Sequence, residues 1–254
     1  MIRILPYMAV FAFFASIVLW PGAPAQARNA EDVLSIELSS DHVGISTGFN
    51  GATFSVFGHN RVDGDVAIVI QGPLHSFVVR RKDQVAGIWM NKQSMRFVRI
   101  PVYYDVATTK ALPELAGIDV LRDYSIGLDV LNLQHRGSKK EQAVAKFKEA
   151  LVRGKQQEGN YPLEPRKIEF LSDNFFRADF KVPANVPTGE YRVRAFLFKD
   201  GALIDQEEKQ LQVAQVGLGA SVYTMAYTQS FLYGFMAIFF ALFAGGSAYY
   251  VMRR

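Results

Sequence analysis

Cysteine is absent from all 254 residues. That excludes disulfides, a thiol nucleophile and a thiolate metal site, so any folded part must be held by its core alone. Histidine is scarce: His42, His59, His75 and His135 stand apart, with no H-x-H or H-x-x-x-H spacing. Without that spacing there is no metal-ligand signature, although His42, His59 and His75 fall on neighbouring strands or turns and could converge in three dimensions. The chain also lacks a G-x-S-x-G elbow, a G-x-x-x-x-G-K-[ST] loop and a strand-linked G-x-G-x-x-G. Glu207 and Glu208 are adjacent on an expected strand and so point to opposite faces, which is wrong for paired acid/base work. These absences assign no catalytic residue, no cofactor and no metal, and the expectation is a protein that is not an enzyme.

A basic surplus is missing as well, despite the formal net charge of +4. Setting aside Arg3, Arg253 and Arg254 at the chain ends leaves 25 of the 28 cations against 24 acids. A nucleic-acid-binding domain normally carries a strong positive excess, so nucleic acid is not an expected partner. The remaining charges are uneven: between Arg80 and Lys110 seven cations face only Asp83 and Asp105, and Arg136 to Lys155 is similarly biased.

Formal charge disappears altogether from Gln210 to Met252, and Phe231 to Met252 is 22 residues long. At about 1.5 Å per helical residue, such a run crosses the roughly 30 Å hydrocarbon layer. Tyr223, Tyr227 and Tyr233 lie toward one boundary and Tyr249 and Tyr250 toward the other, as interfacial aromatics do. Arg253 and Arg254 follow, and the positive-inside rule places them in the cytoplasm. At the other end, Arg3, an apolar run from Tyr7 to Trp20, Pro21, Gly22, Pro24 and Ala25-Gln26-Ala27 make the three parts of a secretory signal peptide. Residues 1–27 are therefore expected to be a signal peptide, 28–214 an exported domain, 215–226 a linker, 227–252 a transmembrane helix and 253–254 a cytoplasmic stub. A periplasmic domain on a single-pass protein of a bacterial inner membrane fits this pattern. A retained N-terminal helix is the alternative.

Between the ends the chain reads as short extended runs broken by turn residues. Val33–Leu38 and Ala52–Phe57 alternate apolar and polar with the period of half-buried strands, and Gly51, Gly58, Asp63-Gly64 and Gly72-Pro73 supply breaks. The segment MRFVRIPVYYDV reads as one further strand, and Asp83-Gln84 as the turn of a hairpin, with Gly87 a bulge that re-aims Trp89. SKKEQAVAKFKEALVRG reads as an amphipathic helix: Ser138 and Glu141 form a capping box, Val144, Phe147 and Leu151 share a face, and Gly154 supplies the stop. Leu112–Leu133 is ambiguous between a short helix and strands, and Lys155–Pro165 reads as a loop; the lysines here, Lys155 included, are expected to solvate the outer face of the helix and not to bind a ligand. Pro187-Thr188-Gly189-Glu190-Tyr191 delivers a tyrosine at a strand start, as in the tyrosine corner of immunoglobulin-like domains. The expected fold is mainly β: an immunoglobulin-like β-sandwich with a helical insertion at about 106–160, plus one C-terminal transmembrane helix. Two smaller β domains are the alternative.

GISTGFNGATFSVFG, VIQGPLHSFVVRRKDQVAGIWMN and VPANVPTGEYRVRAFLF, in that order and followed by the C-terminal span, resemble the alphaproteobacterial putative transmembrane protein family. The resemblance implies a signal peptide, an exported domain and one span. It transfers no catalytic residues. It also implies a sulfite-exporter-type permease as a transporter partner.

Two sets of residues are candidates for contact. In VVRRKDQVAGIWMN, Arg80, Arg81 and Lys82 could meet an anion or an acidic partner near Trp89. Strand alternation puts Arg80 and Lys82 on one face and Arg81 on the other, and Trp89 is expected in the core. In the span, Ala237, Ala241 and Gly245 repeat every four residues, a small-residue row that allows close helix packing against an integral membrane protein or a second copy of the span. The expected function is a membrane-anchored periplasmic interaction module, an accessory subunit of a membrane transporter. The alternatives are a periplasmic enzyme or processing factor whose site forms only in three dimensions, and a structural envelope role.

Overall fold

The run DVAIVIQ does not alternate, and its position in the fold explains why. In the computed structural model, which describes residues 33–46, 48–85, 87–137 and 141–253, this strand is buried from Val66 to Gln71. The chain forms β1 (Leu34–Leu38), β2 (His42–Ile45), β3 (Ala52–Asn60), β4 (Asp65–Gln71), β5 (Leu74–Val85), β6 (Ile88–Pro101) and β7 (Tyr104–Thr108). Helices α1 (Leu112–Leu115) and α2 (Ile118–Tyr124) follow, then the short β8 (His135–Arg136) and α3 (Glu141–Gln157). Next come β9 (Arg166–Lys167), β10 (Glu169–Ser172), β11 (Phe175–Val182), β12 (Gly189–Lys199) and β13 (Ala202–Gln215), and last α4 (Leu218–Thr228) and α5 (Ser230–Met252).

The fold is mainly β, in several sheets. One sheet has the order β1-β3-β11-β10 and another β2-β13-β12-β4-β7-β9. Between them lies a first core, to which β4 contributes Val66, Ile68 and Ile70 and the facing sheet Phe54, Phe176 and Phe180. Ala67 and Val69 of β4 enter a second core on the opposite face, where Phe97, Phe147 and Phe196 also lie. A strand covered on both faces has no reason to alternate, hence the continuous apolar run. β3 has only one buried face and alternates as its sequence predicts.

Close packing explains one glycine in β3. A Cβ on Gly58 would stand 2.1 Å from the Phe176 ring, which the pairing of Gly58 with Phe176 places directly opposite. The Tyr191 hydroxyl donates to the Pro187 carbonyl at 2.6 Å, tying the start of β12 to the preceding loop as expected. Asp205 accepts from the backbone N–H groups of Val33 and Leu34 at 3.0 and 2.9 Å, and Glu207 accepts from that of Ile36, so two β13 side chains bond the margin of β1 that β3 leaves free.

Several expectations need correction. MRFVRIPVYYDV is not one strand, because β6 ends at Pro101 and β7 starts at Tyr104 in a different sheet. Leu112–Leu133 contains two short helices. Gly154 does not stop α3, which continues to Gln157. A glycine costs a helix about 1 kcal/mol but does not end it where tertiary contacts beyond it hold. The contact here is Lys155, expected to be solvated but buried, with Nζ 4.1 Å from the Phe77 ring centre and 2.8 Å from Glu158. The hydrogen bond from Lys155, with a second from Asn160, holds the Glu158 carboxyl below the usual carboxylate range. The stretch expected as a flexible linker contains α4 from Leu218 to Thr228. The proposed signal peptide and the capping Ser138 lie outside the described residues.

Candidate interaction site

β5 and β6 form a long antiparallel ribbon, here called the arm. Its root packs into the second core through Met95, Phe97 and Ile100, while Ile88 to Ser94 in its outer part are exposed. The turn is not at Asp83-Gln84, which remain in β5 paired with Met90 and Trp89, but farther on, at Gly87, beyond the last pair Val85–Ile88. Gly87 adopts φ +84°, a conformation that glycine reaches without steric cost, and Gln84 Nε2 donates to its carbonyl at 3.2 Å. Asp83 instead pairs with Arg81 at 3.3 Å.

Gly87 is therefore the turn residue and not a bulge. The bulges lie elsewhere on β6. Lys92 is the extra residue between the pairs Arg81–Gln93 and Lys82–Asn91, and Val98-Arg99 lie opposite Ser76, with Arg99 at φ +56°. Each inserts residues on one strand only, which bends and twists the ribbon.

Trp89 is not a core aromatic. It is 67% exposed, and its neighbours Ile88 and Met90 are 69% and 52% exposed. An aromatic in a strand reports only a preference for burial, while burial itself depends on a covering layer that no described residue supplies at the arm's tip. Arg80, Arg81 and Lys82 are all exposed along the shaft.

Helix α3 lies beside β5, and the two border a cleft of about 410 Å³. Val79, Arg80, Arg81 and Gln93 line one wall. Ala143, Lys146, Phe147, Ala150 and Arg153 line the other. Arg80 and Arg81 thus share the cleft even though their backbone positions alternate, whereas Lys82 does not line it. The helical wall was missed from sequence, although Ala143, Lys146, Ala150 and Arg153 recur at helical spacing beside the core stripe and could have marked a second face.

The histidines do not converge on a metal. Among the described residues no three His, Asp or Glu side chains gather as a cation site, and His42 pairs with Asp41 at 3.1 Å. Asp105, the one buried acid among the described residues, is 2% exposed and accepts from Arg166 Nε at 2.7 Å and from the Tyr103 hydroxyl at 3.0 Å. Burial outweighs these bonds and raises its pKa above the usual carboxylate value. The cluster joins β7 to β9, and Tyr103 also donates across the sandwich to the Lys181 carbonyl at 3.1 Å, which makes it a brace within the fold.

Beyond β13 the chain enters α4 and then α5, of which no residue is buried. At 23 residues, α5 is the one described helix long and apolar enough to cross a membrane. A match to the family model of the putative transmembrane protein family runs over residues 33–254, from the first strand through α5. The chain belongs to this family. No curated protein matches it. For this family member, Ala237, Ala241 and Gly245 lie along α5, and a Cβ added at Gly245 would meet no atom within 4 Å.

Proposed function

We propose that this family member is a membrane-anchored interaction module without an enzymatic activity of its own. In this reading a signal peptide exports the β domain to the periplasm, α5 holds it in a bacterial inner membrane with the C-terminus in the cytoplasm, and the arm engages an integral membrane partner. A sulfite-exporter-type permease is the partner class that the family resemblance implies.

The arm is the observation that carries this reading. Its tip presents Ile88, Trp89 and Met90 to water, each more than half exposed, above a shaft bearing Arg80, Arg81 and Lys82. Contiguous exposed apolar residues rimmed by charge are a mark of contact surfaces, and Trp and Arg are the residues most often found at their energetic centres. The row Ala237, Ala241 and Gly245 would add a second contact inside the bilayer.

Affinity purification from native membranes followed by mass spectrometry tests this. An integral membrane protein should be recovered with the wild-type chain, be depleted with Trp89→Ala, and be weakened with Gly245→Leu. Recovery of the same protein undiminished by both substitutions would overturn the reading. For topology, a reporter fused after Arg254 should be active only in the cytoplasm.

A further inference from the structure

The cleft between the arm and α3 is framed in a way that packing alone does not require. Val144, Phe147, Leu151 and Lys155 form the buried stripe of α3. The neighbouring stripe, Ala143, Lys146, Ala150 and Arg153, faces Val79 and Arg81 across open space. Two alanines stand where larger apolar side chains would close the gap. Phe147, only 5% exposed, forms the floor.

Four cations, Arg80, Arg81, Lys146 and Arg153, border this space. Two carboxylates answer them: Asp83 at 3.3 Å from Arg81 and Glu149 at 4.0 Å from Arg153. Arg80 and Lys146 make no ion pair among the described residues. The volume of about 410 Å³ lies within the range of roughly 300–1,000 Å³ typical of small-molecule sites. A wholly apolar occupant would strip water from the cations and give them no partner, and a bare inorganic anion would leave the half-exposed Val79, Ala143 and Ala150 in water.

The geometry points to a binding site for an amphipathic anion, an apolar body of acyl type ending in a carboxylate, phosphate or sulfonate. The apolar body rests on Val79 and the alanines, and the head group sits between Arg81 and Lys146 with Arg80 and Arg153 at its flanks. The inference rests on reading the arm as the binding element and names one chemistry that it takes. Both a lipid of the surrounding bilayer and a free fatty-acid-like molecule carry this chemistry.

Calorimetric titration of octanoate into the full-length chain, held in phosphatidylcholine nanodiscs and corrected with empty discs, provides the test. Octanoate should bind saturably at one site, and octan-1-ol and inorganic phosphate at least about tenfold more weakly. Arg81→Glu with Lys146→Glu should weaken octanoate at least about tenfold by replacing attraction with repulsion. Ala150→Leu should do the same by filling the cleft without changing charge. Lys199→Glu, at the exposed end of β12 and outside the cleft lining, should bind as wild type.

Phosphatidylglycerol nanodiscs separate the sources: competition with octanoate identifies the bilayer lipid, and unchanged affinity identifies the free molecule. Equal binding of octan-1-ol and octanoate, or undiminished binding by a folded Ala150→Leu, would overturn the proposal. So would a glutamate-rich peptide that binds more tightly than octanoate. Loss of the octanoate site alongside retained, Trp89-dependent recovery of a membrane partner would defeat this inference and leave the proposed function standing.

Discussion

Two hairpins of this chain are built to nearly the same length and meet opposite fates. The β12–β13 hairpin has strands of 11 and 14 residues and the arm strands of 12 and 14. Each turns on a glycine of positive φ, Gly201 at +80° and Gly87 at +84°. β12 is flanked by β13 and β4 and covered on both faces, so Val193 through Phe198 retain almost no exposure except at Arg194. The arm has β8 along a short part of β6, and its tip residues Ile88, Trp89 and Met90 are exposed, with no layer over them among the described residues. Backbone pairing is therefore similar in the two hairpins, and what separates a buried hairpin from an exposed one is the layer above it.

Substitutions should widen that contrast. Phe196→Ala removes a fully buried ring from the second core and should cost about 3–5 kcal/mol in urea unfolding followed by far-ultraviolet circular dichroism. Asp105→Ala leaves Arg166 and Tyr103 without their shared acceptor and should cost about 3 kcal/mol by the same measurement. Tyr191→Phe removes only the hydroxyl bond to Pro187 and should cost about 1 kcal/mol. Trp89→Ala should change stability by no more than about 0.5 kcal/mol, since the ring is mostly in water already. A loss at Trp89 comparable with that at Phe196 would show that the tip is covered in solution and would remove the contrast.

Asp105 also gives the brace a pH signature. Its folded pKa is raised, so the folded state holds the proton more tightly than the unfolded chain, and this group's contribution declines as pH rises from its ordinary value of 3.8 through the folded value. Glu158 works in the opposite sense: its lowered pKa contributes stability above 4.5 that is lost as pH falls through the folded value. Stability of Asp105→Asn measured against wild type across this acid range should show the wild type's relative advantage growing as pH falls. A difference independent of pH would exclude the burial effect.

The same contrast explains what could be read from the sequence. Alternation identified β1 and β3 because each buries one face, and the continuous run of β4 was readable as a strand because turn residues bound it. Tyr191 was legible from its turn. The true turn of the arm was missed because an acidic-amide pair drew attention from Gly87, the residue able to take the required φ. The exposure of Trp89 and the burial of Lys155 were not legible, since both depend on which distant segment lies over them. The cleft needed both strand and helix in place, and only the helical spacing of its alanines and cations was visible beforehand.

The carboxylates of Asp205 and Glu207 have a consequence for life on a membrane. Chains confined to a plane meet repeatedly at high local concentration, and a strand margin with free N–H groups is a template on which a neighbour's strand can grow. In β1 those groups at Leu34 and Ile36 are already engaged by side chains of the same molecule. An incoming strand would have to displace these two carboxylates before it could pair with either N–H group. Encounters between neighbouring copies are thereby steered away from strand exchange along this margin.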